Sequence, residues 1–578
     1  MDNKNNLIKY YQEEISFLRE EGKNFAKQYP EIAQKIDIKN DAMSADPHTE
    51  RMIESFAFMV AGLRSKVECN TNNISRYISE ALYPGLNDVF PSCSIIQFKQ
   101  NNNTNKVDIF RFAKNSKLQV NIEEEYEYLV TTIYSINVYP IQIDKVFVNN
   151  DKMQLNIGIS TLSVPIENII INELLFNINT KVLEKALDLY NILFNKDFIV
   201  AYLKVNDELY EIPNDYIELC GFEENETIIP IKKFFNYSFQ MIKELLLYPQ
   251  KFLFFKIKHL NKIFLQNNIT NIYDFTIIFP IDKKIDVNND SILINSVPVV
   301  NLFPCTTESF VMDGTKDYYH LVPSHPYKNN IEIHSIKELH ILSKKTGEDK
   351  EIPKYFNICK ANITETNNIY WLETYNINNK FDEKYVAIID TNVNINKEYL
   401  DIVYAKTLCI NKMSSKYISM SSSIDLIQTE TDGNKTNTSI RNIARFITEP
   451  TESIHNNIIN NDNWKLLQYL SFNKISKSNF SNIKDYLWNI IDLYDSPYKK
   501  QFFQVINNIK KVEIITFLKR KLINHKHCFI KNFQFIIYYD MENTNNYYFL
   551  FFKVIEKYLQ NTNQFNEVFT LKLKTNID

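Results

Sequence analysis

Glycine is scarce in this chain. There are eight in 578 residues, at 22, 62, 85, 158, 221, 314, 347 and 433. No two are spaced for a GxGxxG or GxxxxGKS/T loop. Phosphate-cradling loops need glycine so that backbone N–H groups can approach the ligand, so a nucleotide-dependent enzyme is not indicated. The seven cysteines (69, 93, 220, 305, 359, 409, 528) are scattered, odd in number and without a CxxC pair. That is the pattern of reduced cytosolic thiols rather than a disulfide framework. No apolar run approaches the ~18–20 residues that span a bilayer; FLFFKI (252–257) and YYFLFFKVI (547–555) are core-sized. The opening MDNKNNLIKYYQEE lacks the apolar centre of a signal peptide. With a net charge of −4, nothing argues for nucleic acid as the main partner. These absences describe a soluble, cytoplasmic protein with no cofactor, no nucleic-acid partner and no direct membrane insertion.

What is present is apolar mass for several cores, since single cores stop growing near ~250–300 residues. The expected class is α+β and multidomain: an N-terminal helical hairpin or bundle, β-rich domains, and a mixed α/β C-terminal domain. The expected boundaries are 1–88 helical; 89–300 β-rich with inserted helices; 301–440 β-rich with a mobile loop at 414–440; and 441–578 mixed. From about residue 90 short β-like runs (SIIQF, VDIFRF, KLQV, MQLNIGIS) alternate with Asn-rich turns. Helices are expected at 181–193, 233–246, 462–472, 481–494 and 499–508, strands near 529–540 and 546–552, and a last helix at 553–560. No internal repeat is found.

Residues 8–29 carry Ile8, Tyr11, Ile15, Leu18, Gly22, Phe25 and Tyr29 at alternating spacings of three and four, one face of a helix. A helix-interior glycine costs about 1 kcal/mol against alanine, so Gly22 on the stripe suggests close approach by a neighbour. Pro30 ends or restarts the helix. In DPHTERMIESFAFMVAGLRSKVE (46–68) Asp46 suits an N-cap and Pro47 the first helical position. Ile53, Phe56, Val60, Leu63 and Val67 form a second seam, widened by Met52, Ala57 and Met59. A third short helix is expected near 72–83. Five to seven large side chains per seam, at ~1.5–3 kcal/mol each, is more burial than two isolated helices need. Either the seams form an ordinary intramolecular hairpin, or they pack partly on each other and partly into an intersubunit bundle, whose candidate interface is Ile8, Tyr11, Ile15, Leu18, Gly22, Phe25, Ile53, Phe56, Val60, Leu63 and Val67.

Candidates for chemistry are weak. His48, Glu50 and Glu54 lack the histidine pair at i and i+4 of a zincin helix. They read better as acids at the positive end of a helix dipole, with Arg51 paired to one of them. His525, His527 and Cys528 lie too close in sequence for all to reach one ion easily. His320, His325, His334 and His340 are scattered, and no serine sits in a GxSxG elbow. VPVVNLFP (297–304) reads either as an exposed interaction loop or, preferably, as a buried strand whose Asn301 bonds backbone at a turn. No catalytic, cofactor or metal site emerges.

Several ordered stretches resemble one family. YYQEEISFLREEGKNFAKQYPEIA (10–33) followed by the 46–68 segment resembles the N-terminus of TssF, also called VasA or ImpG, a baseplate wedge subunit of the type VI secretion system. ALYPGLNDVFPSCSIIQF (81–98), CGFEENETIIPIKKFFNYSFQMIKELLLYPQKFLFFKI (220–257), VPVVNLFPCTTESFVMD (297–313), WKLLQYLSFNKIS (464–476) and WNIIDLYD (488–495) match family passages in the family's order. Gln250 where the family often has Glu, Ser309 where it often has Pro, Tyr469 in place of His, and many missing glycines mark a divergent branch.

The resemblance implies a structural, non-enzymatic subunit. Its implied partners are TssG-like and TssK-like wedge proteins, a TssE-like sheath initiator and a VgrG-like spike, with two copies per wedge. The implied location is cytoplasmic, docked at the inner membrane through partners. A cytosolic adaptor or an enzyme of unknown activity are the alternatives from other classes.

Overall fold

The computed structural model describes residues 2–35, 46–82, 85, 88–99, 109–121, 127–161, 164–179, 182–196, 199–231, 237–269, 271–312, 316–344, 346–355, 369–374, 383–390, 401–412, 418–420, 422, 424–426, 443–455, 483–492, 494–523, 526–540, 545–561 and 567–574. Cα packing divides the chain into a helical unit carrying residues 1–82 and a larger unit that begins at residue 83.

The helical unit contains α1 (Asp2–Gln28), α2 (Pro30–Lys35) and α3 (Pro47–Leu82). Pro30 restarts the helix: its missing N–H costs nothing in a first turn, and the N–H of Ala33 bonds the carbonyl of Tyr29 at 3.0 Å. The short helix expected near 72–83 is instead the continuation of α3, which runs 36 residues without a break. Its Asn-rich middle is a poor helix former, but Ile74 and Ile78 keep the spacing of the preceding stripe.

The larger unit is built on a closed six-stranded barrel. In ladder order it comprises Cys93–Phe98, Ser296–Val300, Glu127–Thr132, Lys117–Asn121, Ile424–Leu426 and Ala444–Phe446. VPVV is thus the buried strand and not an exposed loop: all five residues of Ser296–Val300 are buried, with Cys93 opposite Val300. Ile424–Leu426 closes the barrel from within the stretch expected to be a loop; 427–442 lies outside the described residues.

Around the barrel stand a five-stranded sheet (including Gln154–Thr161 and Asp274–Pro280), a four-stranded sheet (including Glu173–Ile178 and Phe254–Lys258), and a sheet on Ile331–Leu342 and Ile402–Asn411. Helices Leu183–Phe194 and Tyr237–Leu247 fall close to where the apolar spacing puts them. The expected helix at 462–472 lies outside the described residues.

Parts of the passages that carry the family resemblance are core, while WKLLQYLSFNKIS (464–476) lies outside the described residues. In YPQKFLFF, Lys251, Phe252, Phe254 and Phe255 are fully buried. Lys251 forms an ion pair with Glu244 of helix Tyr237–Leu247, and both side chains are completely enclosed. Glu244 also accepts from the N–H of Ile228 at 2.8 Å and from Gln240 at 3.2 Å. Lys251 uses its carbonyl to accept the Tyr134 hydroxyl at 2.7 Å. In CGF, Gly221 takes φ +97°, and a Cβ there would lie 2.9 Å from the Phe252 ring. Glycine is required on both counts.

The C-terminal part holds helices Ile483–Asp492 and Lys499–Asn507, an antiparallel hairpin of Ile509–Ile523 with Lys526–Tyr539, helix Tyr548–Asn561 and a parallel strand Glu567–Lys574. The run YYFLFF, expected as a strand, opens the helix. Leu550, Phe551, Val554, Ile555 and Tyr558 are buried at helical spacing, which a short apolar run read alone does not reveal.

Candidate subunit interface

The N-terminal hairpin starts from a well-made cap. The Asp46 carboxylate accepts the N–H of His48 at 3.0 Å and the hydroxyl of Thr49 at 2.9 Å. Those bonds, the His48 N–H first, favour the ionised form and hold its pKa below the usual aspartate value. Glu50 in the first turn pairs with Arg19 of α1 at 2.6 Å, where the sequence suggests Arg51. Farther along, Arg64 reaches Glu14 at 3.0 Å and Glu13 at 3.1 Å, and its guanidinium lies 5.0 Å from the Tyr10 ring centre. Tyr11 meets Phe58 edge-on at 6.5 Å. With 19 against 50 and 14 against 64, α1 and α3 run antiparallel.

The inner side of α3 carries alanine. Ala57 and Ala61 are fully buried, and they share a face with Glu50 and Arg64. That choice pushes the large residues elsewhere. Of the second seam, Ile53 and Val60 are half-buried, whereas Phe56, Leu63 and Val67 are 52%, 63% and 63% exposed. These three join Met52, Met59, Ile74 and Ile78 in an exposed stripe at spacings of three and four or their sums. The stripe covers 27 positions of α3, about 40 Å of helix. On α1, Tyr11, Ile15, Leu18, Gly22 and Phe25 are half-buried and Ile8 is exposed. A Cβ at Gly22 would meet nothing within 4 Å, so the close neighbour suggested by the sequence is not within this chain's described residues.

Ile74 and Ile78 escape a sequence reading that ends the seam at Val67. The signal was there, since both continue the spacing. Arg19, Glu14 and Arg64 carry no such signal, because only the fold brings 19 to 50 and 14 to 64.

The residues considered for chemistry are dispersed. His48 is exposed on α3. His325 faces Glu127 at 3.3 Å, and His340 sits between Glu338 at 3.1 Å and Asp349 at 3.2 Å. His334 is buried, its Nε2 2.9 Å from the carbonyl of Val89. Among the described residues no group of three or more His, Cys, Asp or Glu could hold a metal ion. His525 and the side chains of His527 and Cys528 lie outside the described residues. No described helix is long and apolar enough to cross a membrane.

A long helical hairpin with one apolar face left open, carried by a chain with a β-rich body, has the form of an assembly component. The comparisons with known proteins give that class its name. The family model described as "Type VI secretion system, TssF" matches residues 3–578, and the chain belongs to this family.

Type VI secretion system component TssF1 of Pseudomonas aeruginosa is 19% identical over 355 residues, covering 58% of this chain and 57% of that relative. The chain thus aligns with little more than half the length of this relative. Among solved structures, a chain of the TssK-TssF-TssG baseplate subcomplex of the type VI system shares the fold with a TM-score of 0.70 at 15% identity. That match covers 91% of this chain and 96% of the other. A chain of the type VI baseplate complex matches with a TM-score of 0.57 at 15% identity, over 98% of this chain and 96% of that one. The family resemblance and the α+β class read from the sequence both hold.

Proposed function

We propose that this chain is a structural, non-enzymatic subunit of the type VI secretion baseplate wedge. It scaffolds the spike, the sheath initiator and the other wedge proteins of a contractile injection machine. The family match over 3–578 supports this reading, and the exposed stripe Met52, Phe56, Met59, Leu63, Val67, Ile74 and Ile78 is the observation that carries it. Leaving such large side chains in water forfeits ~1.5–3 kcal/mol each, a loss that an intersubunit bundle recovers.

In this reading the interface comprises Ile8, Tyr11, Ile15, Leu18, Gly22, Phe25, Ile53, Phe56, Val60, Leu63 and Val67, and the open space above Gly22 admits a partner backbone. The partners are TssG-like and TssK-like subunits, a TssE-like sheath initiator and a VgrG-like spike. The wedge holds two copies of this chain and sits in the cytoplasm, docked at the inner membrane through its partners. Switching on sheath contraction falls to the interfaces, which can repack between two discrete arrangements.

The test is co-expression with a TssG-like protein. A discrete complex that Phe56→Asp with Leu63→Asp dissolves, while the variant's melting is unchanged, supports the reading. A complex indifferent to both substitutions removes the stripe from the interface.

A further inference from the structure

A second surface, remote in sequence from the helical stripe, points to a partner of different chemistry. The hairpin of Ile509–Ile523 and Lys526–Tyr539 pairs from Ile509 opposite Tyr539, through one irregularity between Ile509 and Lys511, to Ile523 opposite Lys526. The third strand, Glu567–Lys574, covers only Lys531 to Tyr538. The outer end of the hairpin is therefore two-stranded. Burial follows the same division: Phe533, Phe535, Ile536, Ile537 and Tyr539 are buried, while Leu518 is 70% and Phe529 64% exposed. Ile515 and Phe517 are also exposed. Among the described residues no strand pairs with the free edge of Ile509–Ile523.

Charge is equally one-sided. From 514 to 539 the sequence holds Lys519, Arg520, Lys521, Lys526 and Lys531 and no acid, in a chain whose net charge is −4. Along the free-edge strand the order is Ile515, Thr516, Phe517, Leu518, then Lys519, Arg520 and Lys521, an apolar stretch followed by a basic one. A long edge strand with exposed apolar residues is a template for strand addition, and lysines are the usual defence against pairing with copies of itself.

We propose that this edge captures an extended segment of another protein, apolar in one half and acidic in the other, by adding it as a strand beside Ile509–Ile523. The free edge offers alternating N–H and C=O groups, which a strand satisfies in both directions. Lipid would leave those groups unmet in hydrocarbon. A nucleic-acid backbone supplies acceptors for the N–H groups and nothing for the C=O groups. A basic edge sequence disfavours pairing with a second copy of itself, so the occupant is a different, acidic segment.

The probe is a fluorescein-labelled peptide with a valine- and threonine-rich half joined to a glutamate-rich half, titrated onto the full-length chain by anisotropy. Its control carries lysine in place of glutamate. The expected result is binding of the glutamate peptide alone, weakened by salt, with slowed amide exchange across 511–523. Arg520→Glu should weaken binding at least tenfold and Arg520→Lys should retain it; Leu518→Ser should weaken it with the charge unaltered. Unchanged melting of each variant excludes misfolding. Equal binding of both peptides, binding unmoved by Arg520→Glu, or no exchange protection at the edge would overturn the proposal. So would capture of phosphatidylglycerol vesicles or oligo-dT with no response to the glutamate peptide.

Discussion

Asn301 and Asn411 clasp each other across two sheets. The Nδ2 of Asn301 donates to the Oδ1 of Asn411 at 2.7 Å, and the Oδ1 of Asn301 accepts the backbone N–H of Asn411, also at 2.7 Å. Asn301 further donates to the carbonyl of Leu129 at 2.6 Å, and Asn411 to that of Glu127 at 2.9 Å. Both are buried, so each amide satisfies backbone groups that water does not reach. The VNLF signature is thus a joint between the barrel and the strand Ile402–Asn411. Asn301→Ala is expected to lower stability by roughly 1–3 kcal/mol, as is Asn411→Ala, because each strands buried polar groups. The double variant should cost less than the sum, since the two share partners. Urea denaturation of the three variants checks this; strict additivity would mean that the clasp is not one unit.

Glu244 and Lys251 form an enclosed ion pair. Removing one charge leaves the other uncompensated, so Glu244→Gln or Lys251→Met alone is expected to cost roughly 3–5 kcal/mol. The combined Glu244→Leu/Lys251→Met variant should recover much of that loss, because both desolvation penalties vanish together. Thermal melts of the single and double variants measure the difference.

Gly221 and Gly22 should respond in opposite ways to alanine. At Gly221 the positive φ and the Phe252 ring both resist a Cβ, so destabilisation of a few kcal/mol is expected. At Gly22 the space is open and the helix gains about 1 kcal/mol of propensity. If a partner backbone packs there, Gly22→Ala stabilises the isolated chain and weakens the assembly. Melting curves and complex yield, measured side by side, separate the two effects.

His334 makes stability depend on pH. Burial pushes its pKa from 6.5 down to about 4, against Asp88, which favours the charged ring; Lys384 and Lys243 disfavour it. Lys243 bonds the carbonyl of Asp88 at 3.0 Å, and Lys384 lies 3.6 Å from its carboxylate. The folded protein keeps the ring neutral while the unfolded chain protonates near 6.5. The stability from this group is therefore full above pH 6.5, falls as pH drops toward 4, and is flat below. The loss is on the order of 3 kcal/mol. Replacing His334 by Gln should flatten the stability profile across that window, read by urea midpoints at successive pH values.

Much of this was legible in the chain, and the failures have physical causes. Apolar spacing located α1, the start of α3 and the helices Leu183–Phe194 and Tyr237–Leu247, because each buries one face. The same logic failed at YYFLFF, where an unbroken apolar run has no visible period. It also failed at Ile424–Leu426, whose three residues become a strand only because the barrel closes through them. The seam on α3 was read as one face, yet the fold uses Ala57 and Ala61 against α1 and leaves Phe56 and Leu63 outside. Small residues on a helix carry little sequence signal, so which side turned inward was not visible before the structure.

Native mass spectrometry of the chain purified from its own cell, wild type beside Phe56→Asp/Leu63→Asp, decides whether the α3 stripe holds the assembly together. The wild type is expected in a discrete complex with two copies to one TssG-like partner, and the variant as a folded monomer. A wild-type chain recovered alone, or a variant complex identical to wild type, would contradict that role of the stripe.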